Sequence, residues 1–562
     1  MPTVGPPSST NEADKLALRK LAIAVSVVTL FGLLTYVLPG VDRFQPWVSG
    51  DEPLFVNLWR ITTTDFTRVT AAPSIAAPMT QTVSSDGVRE QIANELGEAI
   101  AVNLDDMDTS DDPDPQPTND IFPHQDDGGT RRVIEESVAD TQQPETAQNP
   151  GVESFHQVAQ ATKPESPKPT SHIDPSELDG VGERIELPKS GAFDSFYADL
   201  RATMLQKQGR ITRIAHYGDS TIAMDDITST VRRRLQTRFG DAGHGFMLGA
   251  KSYQPYGHRD IVHKESQGWN INPIINGGLK DGRYGYGGVH VRSSGGDWSS
   301  FGTTDKGNIG TAVSSFEVFY LAHPRGGNFT VQVDDGEKET ISTTADGLED
   351  RWFRINVSDG PHEIKVRAAG GGSFRWYGIA LERDVPGVVY DSLGIVGARA
   401  ARLLNADKDH LAGQLQHRDL SLLVLQFGGN EAVDRKMSMK WYRENLTQVL
   451  QHVRSGIPGV PCLFLAPLDQ GERDERGRVR TIPIVPKMVE VQREVALEQG
   501  CGYWNTFKAM GGEGSMARWY NSKPRLAWGD FAHATPAGYK VIGNMFYKAL
   551  LADFDDYLKR TK

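Results

Sequence analysis

An α/β fold built on a parallel sheet, interrupted by a β-sandwich and preceded by a membrane-spanning helix, is the fold class this sequence predicts. Three observations point to it. Apolar β-rich runs alternate with helical segments in two separated stretches, 190–254 and 386–555. Between them, over about 255–385, helical periodicity gives way to short alternating runs punctuated by glycine turns. Near the N-terminus, one apolar run is about as long as a bilayer is thick.

That run is "LAIAVSVVTLFGLLTYVL", Leu21–Leu38. Lys15, Arg19 and Lys20 precede it, so the positive-inside rule keeps residues 1–20 in the cytoplasm. It is long for the apolar region of a signal peptide, and "VLPGVDRF" offers no small-residue cleavage site. The expectation is an uncleaved single-pass anchor in the cell membrane, with the rest of the chain in the periplasm or its equivalent outside the cytoplasm. Residues 39–175 then read as an acidic, proline-punctuated linker, as in "DDMDTSDDPDPQPTNDIFPHQDD". Asp106, Asp108 and Ser110 have the spacing of a calcium loop, but Asp111 stands where glycine is needed and Pro117 where glutamate is needed. A formal charge of −12 argues against a nucleic-acid partner.

The ordered part divides at 176–254, 255–385 and 386–562. "FDSFYADLRATML" has helical spacing and leads into the strand "ITRIAHY", which ends on Gly218-Asp219-Ser220 before a second helix, "ITSTVRRRLQTRFG". The middle stretch supplies "SSFEVFYLAH", "NFTVQVDD", "WFRINV", "HEIKVRAA" and "SFRWYGIALE", separated by "GG", "DDG" and "GGG" turns, a sandwich pattern. Its Trp269, Trp298, Trp352, Phe374, Trp376 and Tyr377 are mostly core by strand alternation, leaving one or two rings that could stack on sugar faces. The parallel-sheet pattern resumes in "GVVYDSLGIVGARA", "LSLLVLQFGGNEA", "VPCLFLAPLDQ" and "GYWNTFKAM". Cys462 opens the run "CLFLAP" and Cys501 lies just before "YWNTF"; for these two cysteines a disulfide and two buried thiols are equally open.

Parallel sheets bind ligands at the carboxyl ends of their strands, so those ends carry the candidate site. They present Ser220, then Gly394 and Gly397, then Asn430, and near the C-terminus Asp530 and His533. A serine needs a base, which His533 supplies, and Asp530 can hold the imidazole tautomer. The N–H groups of Ser220 and Gly397 and the amide of Asn430 can receive the oxyanion of a tetrahedral intermediate. Singly, each residue also reads as a cap, a tight turn, a buried amide or a solvent-facing histidine.

Together, "HYGDST", "GIVGA", "FGGNEA" and "GDFAHATPAG" resemble the four sequence blocks of the SGNH (GDSL-type) hydrolase superfamily. The resemblance implies a flavodoxin-like three-layer sandwich, nucleophile Ser220, base His533 oriented by Asp530, an oxyanion hole of Ser220, Gly397 and Asn430, and no metal or cofactor. Glu431 departs from the pattern, which has aspartate there. The inserted β region, "FGDAGHGF" and "YDSLGIVGA" are similar to extracytoplasmic peptidoglycan O-acetylesterases with a carbohydrate-binding-like insertion. That likeness implies an O-acylated glycan polymer as substrate. Two other readings stand beside the esterase: a polysaccharide O-acetyltransferase with the same triad, and a non-catalytic tethered glycan-binding protein.

Overall fold

The computed structural model describes residues 172–253 and 256–561. The expected cytoplasmic segment and anchor, and the linker up to residue 171, lie outside the described residues. Among the described residues no helix is long and apolar enough to cross a membrane.

Five strands form one parallel sheet: β1 (Ile211–Gly218), β2 (Gly387–Gly394), β3 (Leu422–Gln426), β4 (Cys462–Leu465) and β5 (Gly502–Trp504). Their spatial order is β2-β1-β3-β4-β5. This is the flavodoxin-like order, and it reverses at β1, which lies between β2 and β3. Successive side chains point to opposite faces. Ile214, Leu422, Val424, Leu463 and Leu465 enter one buried cluster, with α1 (Asp194–Met204), α3 (Asp226–Phe239) and the C-terminal α7 (Pro536–Arg560). Ala215, Tyr217, Leu423, Leu425 and Phe464 enter another, with α4 (Lys408–His417), α5 (Met439–Arg454) and α6 (Ile484–Glu498). The strands therefore read as apolar runs because both faces are covered. The period of two sorts their residues between two helix layers.

Cys462 and Cys501 are joined by a disulfide with Cα atoms 4.7 Å apart. β4 and β5 are neighbours with Leu463 opposite Gly502, which brings the preceding residues side by side.

Between α3 and β2 the chain makes two antiparallel sheets. One orders its strands 349–360, 313–322, 374–382, 289–293 and 270–273; the other orders 261–265, 298–303, 363–370, 328–333 and 339–342. Gly245–Leu248 already pairs with Gly378–Leu381, earlier than the change at residue 255 read from the sequence. Aromatic rings fill the space between the sheets: Phe329 of one stacks on Phe374 of the other at 4.6 Å, and Phe301 meets Trp376 at 6.2 Å. This packing decides the six aromatic residues singled out above, of which one or two were expected to be free to stack on sugar faces. Trp269, Phe374, Trp376 and Tyr377 are buried. Trp298 and Trp352 are half-buried, the first beneath Lys365 Nζ at 4.1 Å and the second stacked on His417 of α4 at 3.9 Å. None of the six is an exposed platform.

The sandwich is not hung on a flexible stalk. Its core and the α4–α6 face of the parallel sheet form one continuous buried cluster. A polar network crosses the same junction. Arg418, just after α4, donates to Asp391 of β2 through Nε at 3.0 Å and Nη2 at 3.0 Å, and to Glu382 through Nη1 at 2.6 Å. Asp391 also accepts from Phe246 N–H at 2.7 Å and from the Tyr286 hydroxyl at 2.8 Å. Arg213 of β1 holds Glu382 at 2.9 Å. Burial would push the Glu382 carboxyl up, but Arg418 and Arg213 draw it down to about 2.

Candidate active site

β1 is the central strand of the reversal, so its carboxyl end opens into the crevice where ligands bind in such sheets. Gly218 of β1 lies opposite Gly394 of β2. A Cβ on Gly218 would stand 2.4 Å from Ile222 Cγ1, and one on Gly394 2.2 Å from the Ala223 nitrogen. Both positions need glycine because the short helix α2 (Ser220–Ala223) lies across the two strand ends. Asp219 caps this turn, its Oδ1 accepting from Thr221 N–H at 3.0 Å and from the Thr221 hydroxyl at 2.9 Å. Its carboxyl is pushed up by burial, which these bonds only partly offset.

The turn delivers Ser220 to the residues expected of it. Ser220 Oγ lies 2.9 Å from His533 Nε2, and His533 Nδ1 lies 2.7 Å from Asp530 Oδ2. The segment carrying the last two is a tight loop closed by an antiparallel bridge between Ala527 and Ala534. Thr535 caps the following α7, accepting from Gly538 N–H at 3.2 Å. Within the loop Phe531 has φ +54°, a left-handed conformation that costs a bulky residue on the order of 1–2 kcal/mol. Packing holds it there. The ring is buried against Tyr520 at 5.0 Å and under the Arg473 guanidinium at 4.9 Å, and its carbonyl accepts from Gly471 N–H at 2.8 Å. Asp530 Oδ1 accepts from the N–H groups of Ala532 at 3.0 Å and His533 at 3.1 Å. Burial raises the Asp530 carboxyl, but the His533 contact and these N–H groups bring it below its usual range. It is therefore ionised wherever the imidazole needs a partner.

Of the three expected oxyanion donors, the Ser220 N–H belongs to α2 and the other two sit on two facing loops. Gly397, with φ +77°, lies in the loop after β2. Ile395 N–H anchors that loop to the Gly218 carbonyl at 3.0 Å. Asn430 follows β3 and donates through Nδ2 to the Ala398 carbonyl at 2.9 Å. An amide nitrogen carries two N–H groups, so this bond fixes the side chain and uses one of them. Asn430 is thus a brace as well as a candidate donor, a double role that the sequence did not reveal. Replacing it with alanine is expected to lower turnover by about 10²–10³ while leaving the protein folded. An unchanged kcat would make Asn430 a purely structural amide.

Sequence reasoning missed the supports of this site. Gln470 Nε2 holds the Gly429 carbonyl at 2.9 Å, and Gln492 Nε2 holds the Phe427 carbonyl at 2.9 Å. Neither glutamine stands out among the polar residues of its segment. Glu431 did stand out, as a departure from the pattern, and the structure buries it. Among the described residues no cluster of three or more acidic, histidine or cysteine side chains could hold a metal ion.

Residues 344–541 match the GDSL-like lipase/acylhydrolase family. The match contains Gly397, Asn430, Asp530 and His533 but not Ser220, which the sandwich separates from the rest of the site. No curated relative matches by sequence. A solved structure of a peptidoglycan O-acetylesterase is similar in fold, with 20% identity and a TM-score of 0.57 over 66% of this chain and 99% of that one. A salicylyl-acyltransferase from a tetracycline biosynthetic pathway (15% identity, 54% of this chain, 98% of that one) has a TM-score of 0.25. A family two carbohydrate esterase from Cellvibrio japonicus (9% identity, 53% of this chain, 99% of that one) has a TM-score of 0.23. At these scores the last two add nothing to the fold.

Proposed function

Because this chain carries a GDSL-like lipase/acylhydrolase domain and is an enzyme of that kind, we propose that it is a serine esterase removing O-acetyl groups from cell-envelope glycan, foremost peptidoglycan. The observation that carries the reading is the Ser220–His533–Asp530 chain of contacts, 2.9 Å and 2.7 Å, at the reversal point of the sheet. The glycan part is supported by the fold likeness to the O-acetylesterase. That likeness covers 66% of this chain and 99% of the other.

The chemistry follows from the contacts. His533 Nε2 takes the proton as Ser220 Oγ attacks the acetyl carbonyl carbon. The oxyanion is received by the Ser220 and Gly397 N–H groups and the second N–H of Asn430. Asp530 stabilises the imidazolium, which then protonates the departing sugar oxygen. Water, deprotonated by the same His533, attacks the acetyl-enzyme, and acetate leaves with Ser220 restored. If a sugar hydroxyl takes the place of water, the same steps make a transferase.

In the proposed setting the Leu21–Leu38 run anchors the protein and the acidic linker lets the catalytic part reach a polymer. The full-length protein is expected to fractionate with membranes, and a form lacking residues 1–40 to be released. It should liberate free acetate from O-acetylated peptidoglycan. Acetyl groups recovered on an added acceptor glycan would establish the transferase instead. Turnover of a small acetyl ester with no acetate from the polymer would overturn the glycan assignment.

A further inference from the structure

Glu431 directly follows Asn430, and its side chain is only 4% exposed. Its Oε1 accepts from the Ala400 N–H at 2.8 Å, across the gap to the loop that carries Gly397. That loop is now held at three points: Ile395 N–H on the Gly218 carbonyl, the Ala398 carbonyl on Asn430, and Ala400 N–H on Glu431. Gly397, with its positive φ, lies between the first and second of them, and the third secures the far side. Glu431 Oε2 is buried with no hydrogen-bond partner among the described residues. An unpartnered carboxylate oxygen is far costlier to bury than an unpartnered hydroxyl.

The groups that face Glu431 sharpen the point. Asp219, beside Ser220, is a second buried carboxyl that acts on it electrostatically. Arg399 acts in the opposite direction, and Tyr442 of α5 faces it as a neutral phenol, itself pushed up by burial. Burial first, then the Asp219 charge, outweigh the Ala400 bond and Arg399, raising the Glu431 carboxyl to about 7. Two carboxylates packed at one site do not readily ionise together. Asp219 is the better placed of the two to carry a charge, because its bonds from Thr221 and the facing His533 act against its burial.

We propose that Glu431 is a positioning residue for the oxyanion loop that works as the neutral acid, so that its ionisation imposes an alkaline limit on turnover. The proposal rests on the acyl-enzyme reading above and adds a control to it. The neutral carboxyl holds Ala400 without placing a second negative charge beside the site where the oxyanion forms. On ionisation the proton goes to solvent, Asp219 and Glu431 repel each other, and the oxyanion is disfavoured.

The folded-state value lies above the ordinary 4.5, so Glu431 stabilises the fold fully below about 4.5, and that stabilisation is lost as pH rises through about 7. The test compares the full-length wild type with Glu431→Gln, whose amide oxygen still accepts from Ala400 but never ionises. With a small chromogenic acetyl ester, kcat at pH 8 divided by kcat at pH 6 should be about tenfold higher in Glu431→Gln, the ratio set by one ionisation near 7. The Tm of the wild type relative to Glu431→Gln should also fall between pH 6 and pH 8. Profiles of the same shape in both proteins, or a Tm difference that does not change with pH, would overturn the proposal. If the wild type hydrolyses no ester at all, the esterase reading fails by itself, and the Tm comparison still decides whether Glu431 ionises there.

Discussion

Ser220→Ala and His533→Ala are each expected to reduce ester turnover by about 10⁴–10⁶, the largest functional effects in this protein. The size follows from the contacts. Oγ and Nε2, 2.9 Å apart, act as one unit, so losing either partner removes the same proton transfer and the double variant should be hardly worse than the single ones. What remains is the contribution of binding and the oxyanion donors. Stability should change little in Ser220→Ala, because the turn is held by Asp219 and by helix α2 crossing Gly218 and Gly394, not by the hydroxyl. Near-wild-type kcat in Ser220→Ala would remove this residue from the mechanism, and with it the assignment of the whole strand-end crevice.

Arg418→Ala should be the most destabilising of these substitutions, by about 3–5 kcal/mol, read as a shift in the denaturant midpoint. The guanidinium is 3% exposed and bonds two buried carboxylates, Asp391 and Glu382. Truncation leaves Asp391 with only the Phe246 N–H and the Tyr286 hydroxyl, neither of them charged. Arg418→Lys should recover only part of the loss, since an ammonium cannot reproduce the planar fork that meets both carboxylates. The same network predicts the acid behaviour of the wild type. Glu382 is lowered in the fold, so its contribution is present above the ordinary 4.5 and lost as pH falls toward about 2. In Arg418→Ala that loss should begin at a higher pH. A midpoint within 1 kcal/mol of the wild type would mean that water or a rearranged Arg213 replaces Arg418 without cost.

How much was legible in the sequence depended on the range of the interactions involved. The parallel strands could be read because a run such as "LLVLQ" is apolar at every position, as a strand buried on both faces must be. The sandwich could be read because its strands alternate between glycine turns. The candidate site could be suspected because a parallel sheet gathers its strand ends at one edge, where Ser220 and Asn430 fall, and because Asp530 and His533 stand three residues apart in the loop before the last helix. These are consequences of local periodicity and chain direction.

Other features depend on which side chains meet across long stretches of chain, and composition does not encode that. Six aromatic residues of the sandwich looked alike in sequence, and packing buried four of them while half-covering the other two. Cys462 and Cys501 were equally readable as a bridge or as thiols until the β4–β5 register placed their Cα atoms 4.7 Å apart. Arg418 was one arginine among many until burial left it between Asp391 and Glu382. Glu431 was a one-methylene departure from a familiar block, and only the enclosure of its carboxyl beside Asp219 gives it a proton to lose near neutral pH. By itself, then, the sequence determined the order of the strands' chemistry along the chain and the edge at which it collects. The tertiary structure alone decided burial and pairing, because desolvation and partner geometry belong to the packed surroundings of a residue and not to its neighbours in sequence.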